Sequence, residues 1–319
     1  MSRMRMCVCV YIAAGEHVLT MCFICGGAAA CHDSLRRGVC VCVCSGNHGR
    51  SVAWGARRAG CRCVIYIHAA VSVSRENALK ELGAEVVRSE GNYDTALKEC
   101  VAEAEKKGWV LVSDTSWPGC EAKLPMIVMA GYTVMTREII DKLGDDAKTI
   151  THVFVPVGVG GLAAAIALPL WRELGVNTPR IVTVESVHSC CFLESIDAGE
   201  ATPVDVKDET IMAGLSCGEV STLAWDMLRP LVSHAAAITD DAVRPLMKYL
   251  HAHNIEAGEC ATSGLATLLQ IHENAPEDMK RHIGLGPESV VLLIGCEGAT
   301  DPDFYAEVTG GNGVHATND

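Results

Sequence analysis

Val153-Phe154-Val155-Pro156-Val157-Gly158-Val159-Gly160-Gly161 is an unbroken apolar run that ends in glycines and opens onto an alanine-rich segment, 162–174. A strand buried on both faces of a sheet reads as such a continuous run, not as an alternation of apolar and polar residues. A glycine turn between strand and helix lets backbone amides at the helix N-terminus approach an anion closely. A full dinucleotide fingerprint needs a third glycine, and a P-loop needs a lysine-serine pair; both are lacking here. A monophosphate therefore suits the turn better than a nucleotide, although a tight βα turn also uses glycine for steric reasons alone.

The same rhythm extends in both directions. Upstream, the pattern predicts a helix over 48–59 with Trp54 on its apolar side, a strand at Cys63-Val64-Ile65-Tyr66-Ile67, and a helix over 74–82 stopped by Gly83. A strand over 84–87 follows, then a helix over 93–107 capped by Asn92 and ending in Lys106-Lys107-Gly108, where basic residues suit the macrodipole. A third strand over 109–113 ends at Asp114. Downstream, a long helix over 123–143 precedes the strand 152–157, the helix 162–174 and a strand at 181–184. A polar, less regular section to about 210 leads to helices near 223–231, 240–251 and 261–274 and a final strand at 290–294. Strands alternating with helices of this length give an α/β fold with mostly parallel sheets covered on both faces. A boundary near 115–125 divides it into a small lobe of three βα units, 45–120, and a larger lobe, 121–309; the tail 310–319 reads as disordered.

At 319 residues the chain can bury a sizeable core. A net charge of −13 repels phosphate backbones, and no basic run or aromatic platform points to nucleic acid. Eight of the seventeen cysteines fall in residues 1–44, where Val and Cys alternate at Cys7-Val8-Cys9-Val10 and Val39-Cys40-Val41-Cys42-Val43-Cys44. A GTGTGT repeat in DNA translates as Val-Cys, so 1–44 reads as a misread, disordered segment; the other reading is a genuine strand, which such residues suit. The other nine cysteines are scattered without a pairing pattern, as in a reducing cytosol. Cys22, Cys25, Cys31 and His32 have poor zinc spacing, and the apolar stretch 18–31 is too short to span a membrane. The chain reads as soluble and cytoplasmic.

Ligands in parallel sheets sit beyond the carboxyl ends of strands, and three candidate sites occupy such ends: Asp114, residues 158–161, and Cys296-Glu297. In Asp114-Thr115-Ser116-Trp117 a carboxylate beside an indole is either a desolvated base or a turn aspartate. Gly295-Cys296-Glu297-Gly298 places a thiol where it can face a ring nitrogen, or is simply a small residue in a turn. Gly258-Glu259 is a buried acid near the site or a helix start. Ser45-Gly46-Asn47-His48-Gly49-Arg50 is an ordinary helix cap or a cofactor loop in which the Asn47 amide donates to a phenolate oxygen.

In order, these pieces resemble diaminopropionate ammonia-lyase, a fold-type II pyridoxal-phosphate (PLP) enzyme, over about four-fifths of the chain. The matching pieces are Gly46-Asn47-His48-Gly49-Arg50, Leu82-Gly83-Ala84-Glu85, Asn92-Tyr93-Asp94, Gly131-Tyr132, Gly158-Val159-Gly160 and Glu297-Gly298-Ala299-Thr300-Asp301. Asp114-Thr115-Ser116-Trp117 and Met212-Ala213-Gly214-Leu215 favour this family over serine and threonine dehydratases. The resemblance implies a two-lobed PLP enzyme that eliminates ammonia from 2,3-diaminopropionate to give pyruvate, acts on a small amino acid and forms a homodimer. In that likeness Asp114 is the base for the L-isomer and Asn47 contacts the ring's phenolate oxygen. Gly158, Val159, Gly160 and Gly161 hold the phosphate, and Cys296 faces the ring nitrogen. Two departures stand out. The family usually has aspartate, serving the D-isomer, where this chain has Ser45, which leans toward the dehydratase pattern. The Schiff-base lysine upstream of the loop has no counterpart, since the first lysine is Lys80. The N-terminal part of the small lobe is thus read as missing and the chain as deficient. The alternatives are a serine/threonine dehydratase-like enzyme or a non-catalytic PLP-fold remnant.

Overall fold

A computed structural model describes residues 38–310. Two parallel four-stranded sheets organise them. The first has the order β3-β2-β1-β4, with β1 at Val39–Val43, β2 at Arg62–Ile67, β3 at Glu85–Arg88 and β4 at Val110–Leu111. The second has the order β7-β6-β5-β8, with β5 at His152–Pro156, β6 at Arg180–Ser186, β7 at Val232–Ile238 and β8 at Val291–Leu293. Every recorded strand pair is parallel, as helix-length crossovers require.

The chief correction concerns β1. The segment read as disordered includes Val39–Val43, which is an interior strand paired with β2 on one side and β4 on the other. Its alternation works because both faces are covered. Cys40 and Cys42 pack with Val52, Ala56 and Ile65 on one side. Val41 and Val43 pack with Val64, Ala96 and Cys100 on the other. Small apolar residues of two kinds fill two shallow layers, so the genuine-strand reading holds for these five residues. Residues 1–37, with the candidate cluster Cys22, Cys25, Cys31 and His32, and the tail 311–319 lie outside the described residues.

Helices cover both sheets. In the first part, α1 (Asn47–Ala59), α2 (Val73–Glu81) and α3 (Tyr93–Lys107) follow β1, β2 and β3. The α3 boundaries agree with the sequence because both ends carry local signals: Asn92 Oδ1 accepts from the Thr95 amide, and Gly108 closes the helix at φ 65°. The long helix α4 (Lys123–Leu143) likewise agrees residue for residue. After β5 comes α5 (Gly161–Leu174), whose alanine-rich face packs among Val153, Val155, Leu228 and Ile294.

Several elements were not foreseen. The section read as irregular contains α6 (Cys191–Ala198), whose first amides are capped from the end of the strand just before it: Phe192 and Leu193 N–H donate to the Glu185 carboxylate at 2.8 and 2.7 Å. β7 is an edge strand of Val-Ser-His-Ala-Ala-Ala-Ile, mostly half-exposed, following α7 (Thr222–Leu228). The expected helix over 240–251 becomes a short 3-10 turn and α8 (Val243–Ala252). Then come α9 (Ser263–Asn274), α10 (Glu277–Ile283) and α11 (Pro302–Thr309), the last two unforeseen. No described helix is long and apolar enough to cross a membrane.

Candidate active site

The carboxyl end of β5 fixes one wall. Gly160 ends the turn at φ 100°, a conformation L side chains rarely adopt, and a Cβ there would sit 2.9 Å from the Ala224 Cβ. A Cβ at Gly158 would meet the Gly214 carbonyl oxygen at 2.7 Å and the Cys217 sulfur at 3.3 Å. The glycine turn is therefore pressed against the Met212-Ala213-Gly214-Leu215-Ser216-Cys217 segment. First-turn amides of a helix have no intrahelical acceptor, so the start of α5 offers backbone donors to an anion. That is the cradle a phosphate needs.

Asp114 lies against this turn. A Cβ on Gly161 would stand 3.3 Å from the Asp114 carbonyl oxygen. The Asp114 carboxylate is half-buried, and its charge, after burial, is the next cause raising the thiol of Cys44 to about 11 and keeping the phenols of Tyr93 and Tyr132 protonated. The residues after it are clasped to the second sheet. Ser116 N–H donates to Ser221 Oγ at 3.1 Å, the Leu223 amide donates to Ser116 Oγ at 3.0 Å, and the Ser221 amide donates to the Val159 carbonyl at 2.9 Å. One serine pair thus ties the Asp114 loop, the glycine turn and the start of α7 together.

The opposite wall combines Asn47 and Cys296. Asn47, first residue of α1, donates from Nδ2 to the Cys296 carbonyl oxygen at 2.8 Å. Cys296 follows β8, and the Ile294 amide donates to the Phe154 carbonyl of neighbouring β5 at 3.0 Å. Adjacent strands lie about 4.8 Å apart, so the Cys296 turn and the 158–161 turn emerge side by side at one end of the sheet. Burial, and then Glu297, push the Cys296 thiol up to about 12, so it is a neutral neighbour. Gly49 has no room for a Cβ because its backbone abuts the Cys44 carbonyl. His48 is buried, with Nε2 3.0 Å from the Val112 carbonyl and Nδ1 3.5 Å from the Tyr132 hydroxyl. Ser45 sits half-buried in the bend between β1 and α1.

A cavity of about 380 Å³ opens between the two sheets, lined among others by Tyr93, Asp94, Thr115, Trp117, Val159 and Cys217. A larger hollow of about 630 Å³, bounded by Trp171, Arg172, Gly175 and Val176, lies at the far end of α5 and touches none of this chemistry. Among the described residues no cluster of three His, Cys, Asp or Glu could hold a metal ion.

Sequence reasoning missed the support under Cys296. Glu297 is buried and accepts from the Cys260 amide at 2.7 Å and the Thr300 hydroxyl at 3.1 Å. Arg75, on α2 and only 4% exposed, reaches Glu259 at 3.2 Å, Glu297 at 3.3 Å and Asp301 at 4.0 Å. Glu259, left open as a buried acid or a helix start, is a buried acid. No local pattern marks Arg75, whose partners lie 184 or more residues away.

A phosphorylated pyridine fits these residues: a glycine-rich amide cradle after β5, a neutral thiol after neighbouring β8, and an amide donor at the start of α1. The profile of the pyridoxal-phosphate dependent enzyme family matches residues 24–295. Diaminopropionate ammonia-lyase of Escherichia coli strain K12 is 32% identical over 277 residues, covering 85% of this chain and 69% of that protein. The crystal structure of the Escherichia coli enzyme in complex with D-serine superposes with a TM-score of 0.82 at 28% identity, covering 92% of this chain and 78% of that one. The biosynthetic L-threonine dehydratase of the same strain is 26% identical over 72% of this chain and 42% of that one. The chain thus belongs to the pyridoxal-phosphate dependent enzymes of fold type II, among the relatives of diaminopropionate ammonia-lyase, and pyridoxal phosphate is its cofactor.

Proposed function

We propose that this chain uses its strand-end site for α,β-elimination of ammonia from 2,3-diaminopropionate, giving pyruvate and a second ammonia on hydrolysis. The observation that carries the reading is the Asn47–Cys296 contact at 2.8 Å beside the 158–161 turn. It ties the start of α1 to the turn after β8, the strand beside β5, whose end carries the 158–161 turn. The bound cofactor supplies an electron sink that acidifies the substrate's Cα. The backbone amides of Gly158, Val159, Gly160 and Gly161 would hold the phosphate, and the Asn47 amide would donate to the ring's phenolate oxygen. Cys296 offers a protonated thiol to the ring nitrogen. Asp114 takes the Cα proton, and Tyr93, Thr115 and Trp117 enclose the substrate and limit water. Ser45 occupies the position from which a carboxylate would serve the D-isomer, so the L-isomer is the substrate.

In this reading residues 39–120 form the small lobe and 121–309 the large one, the molecule is a cytoplasmic homodimer, and the chain as written works poorly. Its first lysine, Lys80, is committed to Glu76 at 2.6 Å on the surface of α2. With no lysine upstream of the Gly46–Arg50 loop, release and recapture of the cofactor lack the family's usual nucleophile; the lysine on the cavity wall is Lys98, from α3. A second reading, a serine/threonine dehydratase, is favoured by Ser45 in place of aspartate. Pyruvate and ammonia release, measured with PLP and with L-2,3-diaminopropionate, L-serine or L-threonine in turn, decides between them. Turnover of diaminopropionate above the others supports the proposal, and turnover of serine alone reverses it. No turnover of any substrate, with no saturable uptake of PLP, leaves a non-catalytic remnant of the fold.

A further inference from the structure

We propose that Arg75 is a positioning residue that sets the ring-nitrogen end of the cofactor site, by clamping the Glu297 turn of the large lobe to α2 of the small one. The inference rests on the reading that Cys296 faces the ring. Glu297 is the residue after Cys296, and it is held from four directions. Its side chain meets Arg75, the Cys260 amide and the Thr300 hydroxyl, and its backbone carbonyl accepts from the Gly258 amide at 2.8 Å. A Cβ on Gly258 would stand 2.7 Å from the Glu297 Cγ, so the two turns are in direct contact. Three of these four holds come from within the large lobe. Arg75 alone crosses from α2: its Nη2 meets both the Glu259 and the Glu297 carboxylates, and its Nε stands 4.0 Å from Asp301, so one rigid guanidinium spans three acids.

The charges make the clamp directional. Burial and the Glu297 carboxylate push Glu259 up to about 7, while Arg75 opposes that rise. Without the guanidinium, Glu259, Glu297 and Asp301 would face one another in a dry space, and the turn would move to relieve them. The Cys296 carbonyl, which Asn47 grips from the same lobe as Arg75, would move with it. Arg75 therefore sets where the thiol and the Asn47 amide stand relative to a ring, without touching that ring. Among the described residues Arg75's ion pairs go to Glu259, Glu297 and Asp301, not to the 158–161 cradle, which is expected to stay in place.

The test uses the full chain and its Arg75→Met and Arg75→Lys variants. Three quantities are read: the dissociation constant for PLP, the competition constant for inorganic phosphate, and amide hydrogen exchange of residues 295–299. The expected result for Arg75→Met is PLP binding weakened about tenfold or more, phosphate competition within about twofold of the parent, and faster exchange at 295–299. Arg75→Lys, which keeps the buried charge and so the fold, is expected to fall between the two. PLP binding and exchange equal to the parent in both variants would overturn the clamp. If Arg75→Met does not fold, Arg75→Lys decides alone: parent-like values overturn the clamp, and weakened PLP with unchanged phosphate supports it. If the parent chain takes up no PLP, the ring-site reading has failed, and the exchange rates still decide whether Arg75 holds the turn.

Discussion

Replacing Gly160 by alanine separates the two reasons a glycine can stand in the phosphate turn. The backbone term comes from φ 100°, where a non-glycine residue costs of order 1–3 kcal/mol. The packing term comes from the Ala224 Cβ at 2.9 Å and the Leu228 Cδ1 at 3.4 Å, which the added methyl group must push aside. Overpacking of that kind costs about 1–3 kcal/mol. Gly199 supplies the control: its φ is 77° and nothing lies within 4 Å of its Cβ position, so Gly199→Ala bears only the backbone cost, about 1–2 kcal/mol. Urea unfolding of the two variants beside the parent chain should therefore show Gly160→Ala less stable than Gly199→Ala. The excess should be about 1–3 kcal/mol with little change in slope. The same substitution tilts the amides at the start of α5, so PLP affinity should drop at least about tenfold in Gly160→Ala and hold in Gly199→Ala. Equal stabilities for the two variants would refute the packing argument. Unchanged PLP affinity in Gly160→Ala would refute the assignment of the turn to the phosphate.

Val41 is fully buried in the interior strand β1, and Val41→Ala should lower unfolding stability by about 2 kcal/mol, read as a shift of the urea midpoint. A parent-like midpoint would mean that β1 does not pair as described. Glu185 is buried, and loss of solvent raises its carboxyl to about 8 despite two backbone donors, well above its ordinary value of 4.5. Because the folded value is the higher one, its contribution is fully present below about pH 4.5 and is lost as pH rises through about 8. Glu185→Gln should flatten that loss, of order a few kcal/mol, in unfolding curves between pH 5 and 9; an identical pH dependence in both chains would contradict it. Asn47→Ala should weaken PLP binding about tenfold while costing only about 1 kcal/mol of stability, by fluorescence titration and urea unfolding respectively. A loss of stability with PLP binding unchanged would leave Asn47 as a link between the lobes alone.

What was legible in the sequence followed the range of the signals. Helices α3 and α4 have their caps and apolar periodicity within their own residues, and their bounds could be read directly. The turns bearing Asp114, residues 158–161 and Cys296 do follow strands, but the strands are shorter than read: Val110–Leu111 for 109–113, His152–Pro156 for 152–157 and Val291–Leu293 for 290–294. Where the cap lies outside the helix's own residues, or the strand composition is weak, local reading failed. Helix α6 is capped by Glu185 from β6, and edge strand β7, with three consecutive alanines, has little β-branched content to mark it. Strand β1 was doubted because a Val-Cys repeat has a trivial origin in DNA. Its place between β2 and β4 shows that such a repeat also satisfies a strand covered on both faces. The Arg75 cluster had no local trace, since ion pairing across lobes leaves no periodicity.

The most direct test is a crystal structure of this chain grown with pyridoxal phosphate. The account expects the phosphate on the amides of residues 158–161 and the ring between Asn47 and Cys296, with the Asn47 amide swung from the Cys296 carbonyl to the phenolate oxygen. A cofactor bound anywhere else, or a ring out of reach of both side chains, would contradict it.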